Sequence, residues 1–374
     1  MPLKNDTRSH HRFCENLNLQ QALHKTQAAG NDFLILPLDS PLPSPDLCQS
    51  LSCRRRSIGC DGIIHFSVAK AKTPDLPPLV LMRFFNADGS QVGMCGNALR
   101  ALTMHLISTG LVSGKTLAIT LSAVLFDKAQ QESLSQELFE REFIQCTVMG
   151  QERDPAHPFG EHVFLVQSIF PCAANIPLKY SSKKLELLIQ EHFQKHLPRT
   201  KPNISFEIDC AHSGVEHLVI TIKRNNHQQP LDLHSIALES LAQKIRENTF
   251  FQKDLINGCN ISFLQKADAD FTSTSNDYSS KCTYNIRTFE RGVFEETWSC
   301  TSAIVAAATC MMSDGEKALF NFTLKQQKIE IKKDKDALHL LGPAQSCYYV
   351  YQTPSLSCID EKGSGNIFAN KGRL

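Results

Sequence analysis

Two cysteines in this chain stand where thiol chemistry is favoured. Cys95 lies in Met94-Cys95-Gly96-Asn97 and Cys300 in Ser299-Cys300-Thr301-Ser302, each just ahead of an apolar stretch that predicts a helix, over 97–109 and 302–312. Glycines Gly110 and Gly315 follow the two cysteines at the same spacing and read as helix-ending residues. The order strand, turn, cysteine, helix thus occurs once in each half, which is the signature of an internal pseudo-repeat. A thiol at a helix start sees the positive end of the helix dipole and free N–H groups, which predicts a lowered pKa and thiolate near neutrality. The same amides suit a substrate carboxylate. Two such starts facing each other would hold one carboxylate and set a sulfur on either side of the neighbouring carbon. One thiolate could then remove the α-proton while the other thiol delivers a proton to the opposite face. The plainer reading is two helices that each happen to begin with a buried cysteine.

The other cysteines call for less. Fourteen are spread along the chain with no C-x-x-C spacing, so neither a zinc knuckle nor a thioredoxin-like motif is offered. Small buried hydrophobes in a reducing cytoplasm are their expected role.

The elements that must position the two sulfurs are short strands joined by turns. Turns are predicted at Ala29-Gly30-Asn31-Asp32, at Ser57-Ile58-Gly59-Cys60-Asp61-Gly62 and at Asn86-Ala87-Asp88-Gly89, with strands around them. Further strands are expected over 204–222, 260–264 and 284–290, and helices over 182–196 and 232–248. Many short strands with few long helices argue for an α+β architecture rather than a doubly wound sheet. At 374 residues the chain is long enough for two domains. The expected division is 22–146 with a strand returning at about 345–355, then 147–344, flanked by a polar arm (1–21) and a tail (356–374). The charged stretch 126–145, and the segments 172–203 and 265–283, read as surface insertions.

Net charge is +1, which gives no electrostatic case for nucleic acid or an anionic membrane. No apolar run reaches the roughly 20 residues that span a bilayer, and the first 20 residues lack the apolar core of a secretory signal. No nucleotide fingerprint or P-loop is present.

Several motifs resemble those of the diaminopimelate epimerase family. His24-Lys25-Thr26-Gln27-Ala28-Ala29-Gly30-Asn31-Asp32-Phe33 resembles the family's opening K-M-x-G-x-G-N-D-F, and Ile58-Gly59-Cys60-Asp61-Gly62 its G-I-G-A-D-G turn. Met82-Arg83-Phe84-Phe85-Asn86-Ala87-Asp88-Gly89-Ser90, with Met94-Cys95-Gly96-Asn97, matches its longest motif nearly letter for letter. Glu290-Arg291-Gly292-Val293, then Glu295-Glu296-Thr297 and Cys300, resembles its second cysteine motif. Weaker matches are Gly214-Val215-Glu216-His217 and Asn257-Gly258-Cys259-Asn260-Ile261-Ser262-Phe263.

The resemblance implies two pseudo-symmetric domains, each an antiparallel sheet wrapped around a central helix, with the site between them. It implies that Cys95 and Cys300 are the acid–base pair and that His217 and Glu290 orient or polarise the thiols. Asn31, Asn86, Asn260 and Arg291 would hold the distal end of the substrate, and Gly96-Asn97 and Thr301-Ser302 its reacting carboxylate. It implies no cofactor and no metal, a small amino-acid substrate as the partner, and a homodimer as the candidate assembly. Plainer roles stand beside these: Asn86 and Asp88 as turn formers, His217 as a core histidine, and Arg291 with Glu290 as a surface pair.

The second cysteine motif departs from the family, which has Gly-Thr-Gly where this chain has Thr301-Ser302-Ala303. The added β-carbons would reshape the carboxylate cradle. Phe294 and Trp298 are bulkier than the family's residues, Glu216 replaces a proline and Ala98 a glycine, and Gln27 and Ala28 also differ. The leading expectation is epimerisation of LL- to meso-diaminopimelate, for lysine and peptidoglycan precursors. The alternatives are a racemase of another amino acid, such as histidine, and a catalytically weak paralogue.

Overall fold

The computed structural model describes residues 22–350 apart from 39, 71–75, 134, 136–138, 140–141, 154–161, 179–181, 197–203, 225–232, 250, 256–257, 268–281, 292–295, 298 and 323–326. The expected arm and tail, the segment 268–281, Phe294 and Trp298 lie outside the described residues.

In chain order the first half holds β1 (Leu23–Ala28), β2 (Asn31–Ile35), α1 (Pro45–Ser52), β3 (Gly62–Ala69), β4 (Leu79–Asn86), β5 (Gln91–Val92), α2 (Gly96–Ser108), β6 (Thr116–Thr120), α3 (Ala123–Gln131), β7 (Ile144–Arg153) and β8 (His162–Pro171). The second holds β9 (Ala174–Asn175), α4 (Ser182–His196), β10 (Ile204–His212), β11 (Glu216–Arg224), α5 (Leu238–Glu247), α6 (Phe251–Asp254), β12 (Asn260–Lys266), β13 (Cys282–Phe289), α7 (Thr301–Met311), β14 (Lys317–Phe322), β15 (Gln327–Asp334) and β16 (Ala337–Val350). The first hairpin turns on Ala29 and Gly30, both at positive φ (48° and 88°), as a two-residue turn matched to strand twist requires.

The strands form one 16-stranded sheet in the order β1-β2-β3-β4-β6-β7-β8-β16-β15-β14-β13-β12-β11-β10-β9, with β5 folded back on β4. Its two halves follow one rule. β1–β2 is antiparallel, β2–β3 parallel, β3–β4 antiparallel, β4–β6 parallel, and β6–β7 and β7–β8 antiparallel. The same sequence of directions runs from β10–β11 through β15–β16. The parallel joints β4–β6 and β13–β14 are the ones bridged by α2 and α7, because a parallel neighbour needs a crossover.

Closure is reciprocal. β8 runs on into β9, which pairs with β10 of the second half (Ala211↔Asn175). β16 pairs with β15 and β8, and its end then pairs with β1 of the first half, from Gln27↔Gln345 to Leu23↔Val350. The expected domain boundary after residue 146 falls inside β7.

Each half wraps one helix. α2 is buried from Gly96 to Leu106 and packs on β1, β7, β8 and β16, while α7 buries Thr301 and Ala303 to Ala308 against β10 and β11. Small residues let α7 sit close to its strands. Both helices share one continuous core. On the outer face of the second half, Leu185, Ile189 and Phe193 of α4 and Leu238, Leu241 and Ile245 of α5 cover Ile220 and Phe263. The stretch expected as a surface insertion over 126–145 buries Phe126, Phe139 and Phe143 against Leu79, Leu81 and Ala118. Burial of such side chains stabilises by about 1.5–3 kcal/mol each, so this segment is part of the fold. Gly110, at φ 71°, follows the α2 cap as expected, but α7 ends at Met311, and Gly315 instead makes the turn into β14, donating to Lys333 O. Among the described residues no helix is long and apolar enough to cross a membrane.

Candidate active site

Both cysteines are helix N-cap residues in nearly the same extended conformation, Cys95 at φ −140°, ψ 106° and Cys300 at φ −125°, ψ 105°. The local chain dictates this. β4 ends in the tight turn Asn86–Ser90, closed by Asn86 N–H to Ser90 O at 2.9 Å, and β5 returns along β4 to deliver Cys95. β13 ends likewise, with Glu296 bridged back to Phe289 and Thr297 N–H donating to Thr288 O, before Ser299 and Cys300. A strand followed by a short return ribbon leaves the next residue extended at the mouth of a helix.

The two helix starts touch. A β-carbon placed on Gly96 would lie 2.3 Å from Thr301 Cγ2, so only glycine fits there. Asn97 donates from Nδ2 to Ser299 O at 3.0 Å, and Thr301 Oγ1 donates to Asn97 Oδ1 at 2.8 Å. Arg100, one turn into α2, donates to Asn97 Oδ1 and, at 3.3 Å, to Thr301 Oγ1. A third tie comes from the β10–β11 turn, where Ser213 Oγ donates to Ser302 O at 2.8 Å and Gly214 approaches Met94. The first-turn amides of two helices therefore converge on one place, with the positive ends of both dipoles.

Burial, not the dipole, dominates the thiols. Cys95 is pushed up to about 11 by burial, with Glu290 adding to the rise while the Ala98 and Asn97 amides and the Arg100 charge oppose it. Cys300, 6% exposed, is raised well above its ordinary value by burial and then by Glu290; the Ser302 hydroxyl, 3.2 Å from its sulfur, and the Ala303 amide pull the other way. The lowered pKa expected from helix position alone is thus overturned, because desolvation of a thiolate outweighs two or three amide dipoles. Glu290 is raised as well, by burial first, against hydrogen bonds to Cys300 and Thr297, with Asp61 adding a further rise. One carboxylate is coupled to both thiols.

The remaining expected residues lie at the strand ends around these starts. His217, second in β11, is in register with Asn260 of β12. Its ring is fully buried and neither nitrogen has a partner among the described residues; burial, then His212, pushes it down to about 3, so it is neutral at pH 7. Asn260 Oδ1 accepts from Arg291 N–H at 2.8 Å, and the exposed Arg291 side chain runs past Gly258. Asn31 opens β2 with a buried Oδ1 that has no partner among the described residues. Asn86 ends β4 and donates to Ser90 Oγ at 3.0 Å, which is turn chemistry. Among the described residues neither Asn31 nor Asn86 bonds to either helix start. Glu290, Cys300 and Ser302 are joined by hydrogen bonds, as are Asn97 and Thr301; Gly96 meets Thr301, and Cys95 caps the helix that Gly96 begins.

Two features escaped the sequence reading. One is Arg100, legible only as a lone charge in an otherwise apolar helix. The other is a network beside Asn31: Lys25 Nζ lies 2.7 Å from Asp32, and Arg54 donates to Asp32 at 2.6 and 2.8 Å and to Asp61 at 2.6 Å. Although burial alone would raise Asp32, bonds from Arg54 and Lys25 hold it well below the usual carboxylate range. Lys25 and Asp32 lie in the opening motif and Asp61 in the second turn, but Arg54, which ties them together, lies in neither. Among the described residues no group of three His, Cys, Asp or Glu side chains is placed to hold a metal ion.

No family model matches the chain. It is similar to a diaminopimelate epimerase from Methanocella arvoryzae, 23% identical over 87% of this chain and 94% of that protein. A shorter stretch, 25% of this chain and 32% of the relative, is 33% identical to an O-ureido-serine racemase from Streptomyces lavendulae. In fold it is similar to the solved structure of a predicted epimerase from Pseudomonas aeruginosa, with a TM-score of 0.51 at 11% identity, covering 90% of this chain and all of that one (100%).

Proposed function

We propose that this chain, which is similar over most of its length to diaminopimelate epimerases, converts LL-2,6-diaminopimelate to the meso form with Cys95 and Cys300 as the acid–base pair. The observation that carries this reading is the meeting of the two cysteine-capped helix starts at Gly96 and Thr301, with Glu290 coupled to both sulfurs. The free amides of the two first turns bind the α-carboxylate. One sulfur, as thiolate, takes the α-proton, so that the C–H bond breaks and an S–H bond forms. The resulting carbanion takes a proton from the opposite thiol, which is left as thiolate, and the stereocentre is inverted.

Both thiols are neutral in the ligand-free geometry, so one proton must leave when substrate binds. Glu290, bonded to Cys300 and raised by its own burial, is the acceptor at hand. The substrate's α-ammonium, brought between the sulfurs, favours the thiolate by its charge. His217, neutral and with unspent ring nitrogens, and Asn31, with a buried unpartnered oxygen, supply hydrogen bonds to a polar ligand. Asn260 and Arg291 offer the same at the end of the second half. A reducing compartment, the cytoplasm, suits a reaction that needs two free thiols.

The Thr301 side chain favours a second reading. It occupies the space above Gly96 where the family's glycine leaves room, so the cradle fits a different amino acid, such as histidine, on the same scaffold. One experiment separates the two. The protein is incubated in heavy water under reductant with LL-diaminopimelate and with a panel of L-amino acids. Deuterium at the α-carbon of diaminopimelate, with meso product, is the expected result. Exchange confined to another amino acid would replace the substrate, and no exchange with any would overturn the epimerase reading.

A further inference from the structure

Among the described residues Arg100 is the largest side chain to be completely buried, and it forms no ion pair with any of them. Its guanidinium donates to two neutral oxygens, Asn97 Oδ1 and Thr301 Oγ1, and its Nε–H has no partner among the described residues. Gly342 of β16 faces it so closely that a β-carbon there would lie 3.0 Å from Nε. A buried cation without a counter-charge is costly unless the site forms an anion that it serves. The ionisable groups next to it are the thiols of Cys95 and of Cys146, the latter on β7 and bonded to Ser168.

We propose that Arg100 is a positioning residue that acts as the fixed counter-charge of the Cys95 thiolate, while bracing the α2 start against the α7 start through Asn97 and Thr301. Arg100 is the buried cation coupled to Cys95, whereas Glu290 opposes ionisation there. Cys146 is held neutral by burial, and the loss of charge that burial imposes on Arg100 itself, to about 10, leaves it cationic at pH 7–8. The other groups on elements around α2 face elsewhere. His24 of β1 meets His105 at the far end of the helix, and Lys25 is paired with Asp32 of β2. β8 brings Ser168, β16 brings Gly342, and α7 brings Cys300 with Glu290 before it. Asparagine and threonine oxygens orient the fork; the charge acts on the sulfur.

This inference rests on the acid–base role of Cys95, yet its test needs no substrate. Peptide-resolved alkylation of Cys95 by iodoacetamide is followed against pH in the full chain and in Arg100→Met and Arg100→Lys. Loss of the charge should raise the Cys95 pKa by about a unit and slow its alkylation at pH 8 roughly tenfold. Lysine, which keeps the charge and loses the fork, should stay within about threefold of the wild type. Labelling of fully buried Cys146 marks a variant that has opened. If Arg100→Met opens, Arg100→Lys against wild type decides alone, and a tenfold slowing there overturns the proposal. An unchanged Cys95 profile in folded Arg100→Met overturns it too. Neither outcome bears on α-deuterium exchange by the wild type, so failure here and failure of the epimerase reading are distinct.

Discussion

Gly96 and Thr301, on different helices and in different halves of the chain, stand so close that a β-carbon on Gly96 would come within 2.3 Å of the threonine methyl and 2.5 Å of its Cβ. The contact sets how near the two cysteine-bearing helix starts can come. Everything the site does with a ligand depends on that approach.

Gly96→Ala should therefore cost more than an ordinary glycine substitution. Forcing a methyl into the contact costs about 1–3 kcal/mol of stability and parts the helix starts. The expected result is a lower melting temperature together with a loss of α-proton exchange of at least 100-fold, since misplacement of about 1 Å has that effect. Thr301→Gly in the same chain should restore most of the stability, as a strong coupling between neighbours. Additive effects in the double variant would argue against the contact.

Removing either thiol should stop turnover without unfolding the chain. Cys95→Ala and Cys300→Ala are each expected to reduce exchange in heavy water by 100- to 10,000-fold, the usual contribution of a positioned acid or base. Circular dichroism should be unchanged, since each residue is a small side chain at a cap. Substantial activity in either variant would rule out the two-base scheme.

The pH dependence should follow from the direction of the thiol shifts. Burial pushes Cys95 up to about 11 and Cys300 well above its ordinary value, so the thiolate fraction of the free enzyme grows as pH rises above neutrality. The value of kcat/KM is accordingly expected to climb from pH 6 to pH 9. A profile that is flat or falls over that interval would show that a group other than a buried thiol is being deprotonated.

Stability should respond in the same sense, weakening below neutrality. His24 is pushed down to about 2 by burial and by His105, His105 to about 4 by burial, and His217 to about 3. In the unfolded chain all three bind protons near pH 6.5. Between pH 6.5 and pH 4 the unfolded state thus holds protons that the native state does not, so stability present above pH 6.5 is lost as pH falls. Each group costs on the order of 1 kcal/mol per pH unit in that window. Denaturant unfolding at pH 7.5 and pH 5 checks this; equal free energies at the two would refute the buried neutral histidines.

Some of this was legible along the chain. The spacing of Cys95 and Cys300 ahead of apolar runs located both helices, and the predicted segment 182–196 coincides with α4. The turns at Ala29-Gly30 and Asn86–Gly89 could be read because glycine and asparagine tolerate the backbone that tight turns require. Apolar periodicity and turn residues act over a few positions, and that is the range over which a linear sequence is informative. The stretch around Phe139 misled for the same reason: its charges were visible, while the strands it covers, β4 and β6, lie earlier in the chain, outside the range of any local pattern.

The sequence by itself determined which side chains are available and which helices they cap: two thiols, each ahead of a helix, in two halves built alike. Tertiary structure decided that the helix starts meet, that β8 and β16 each close the other half, and that Arg100, Asn97 and Thr301 form one buried brace. It also reversed the pKa direction expected for the thiols. The helix dipole is a local property and can be read from position, but desolvation depends on what every other segment packs around the sulfur. Burial is set only when distant strands close over the site, and here it is the larger effect.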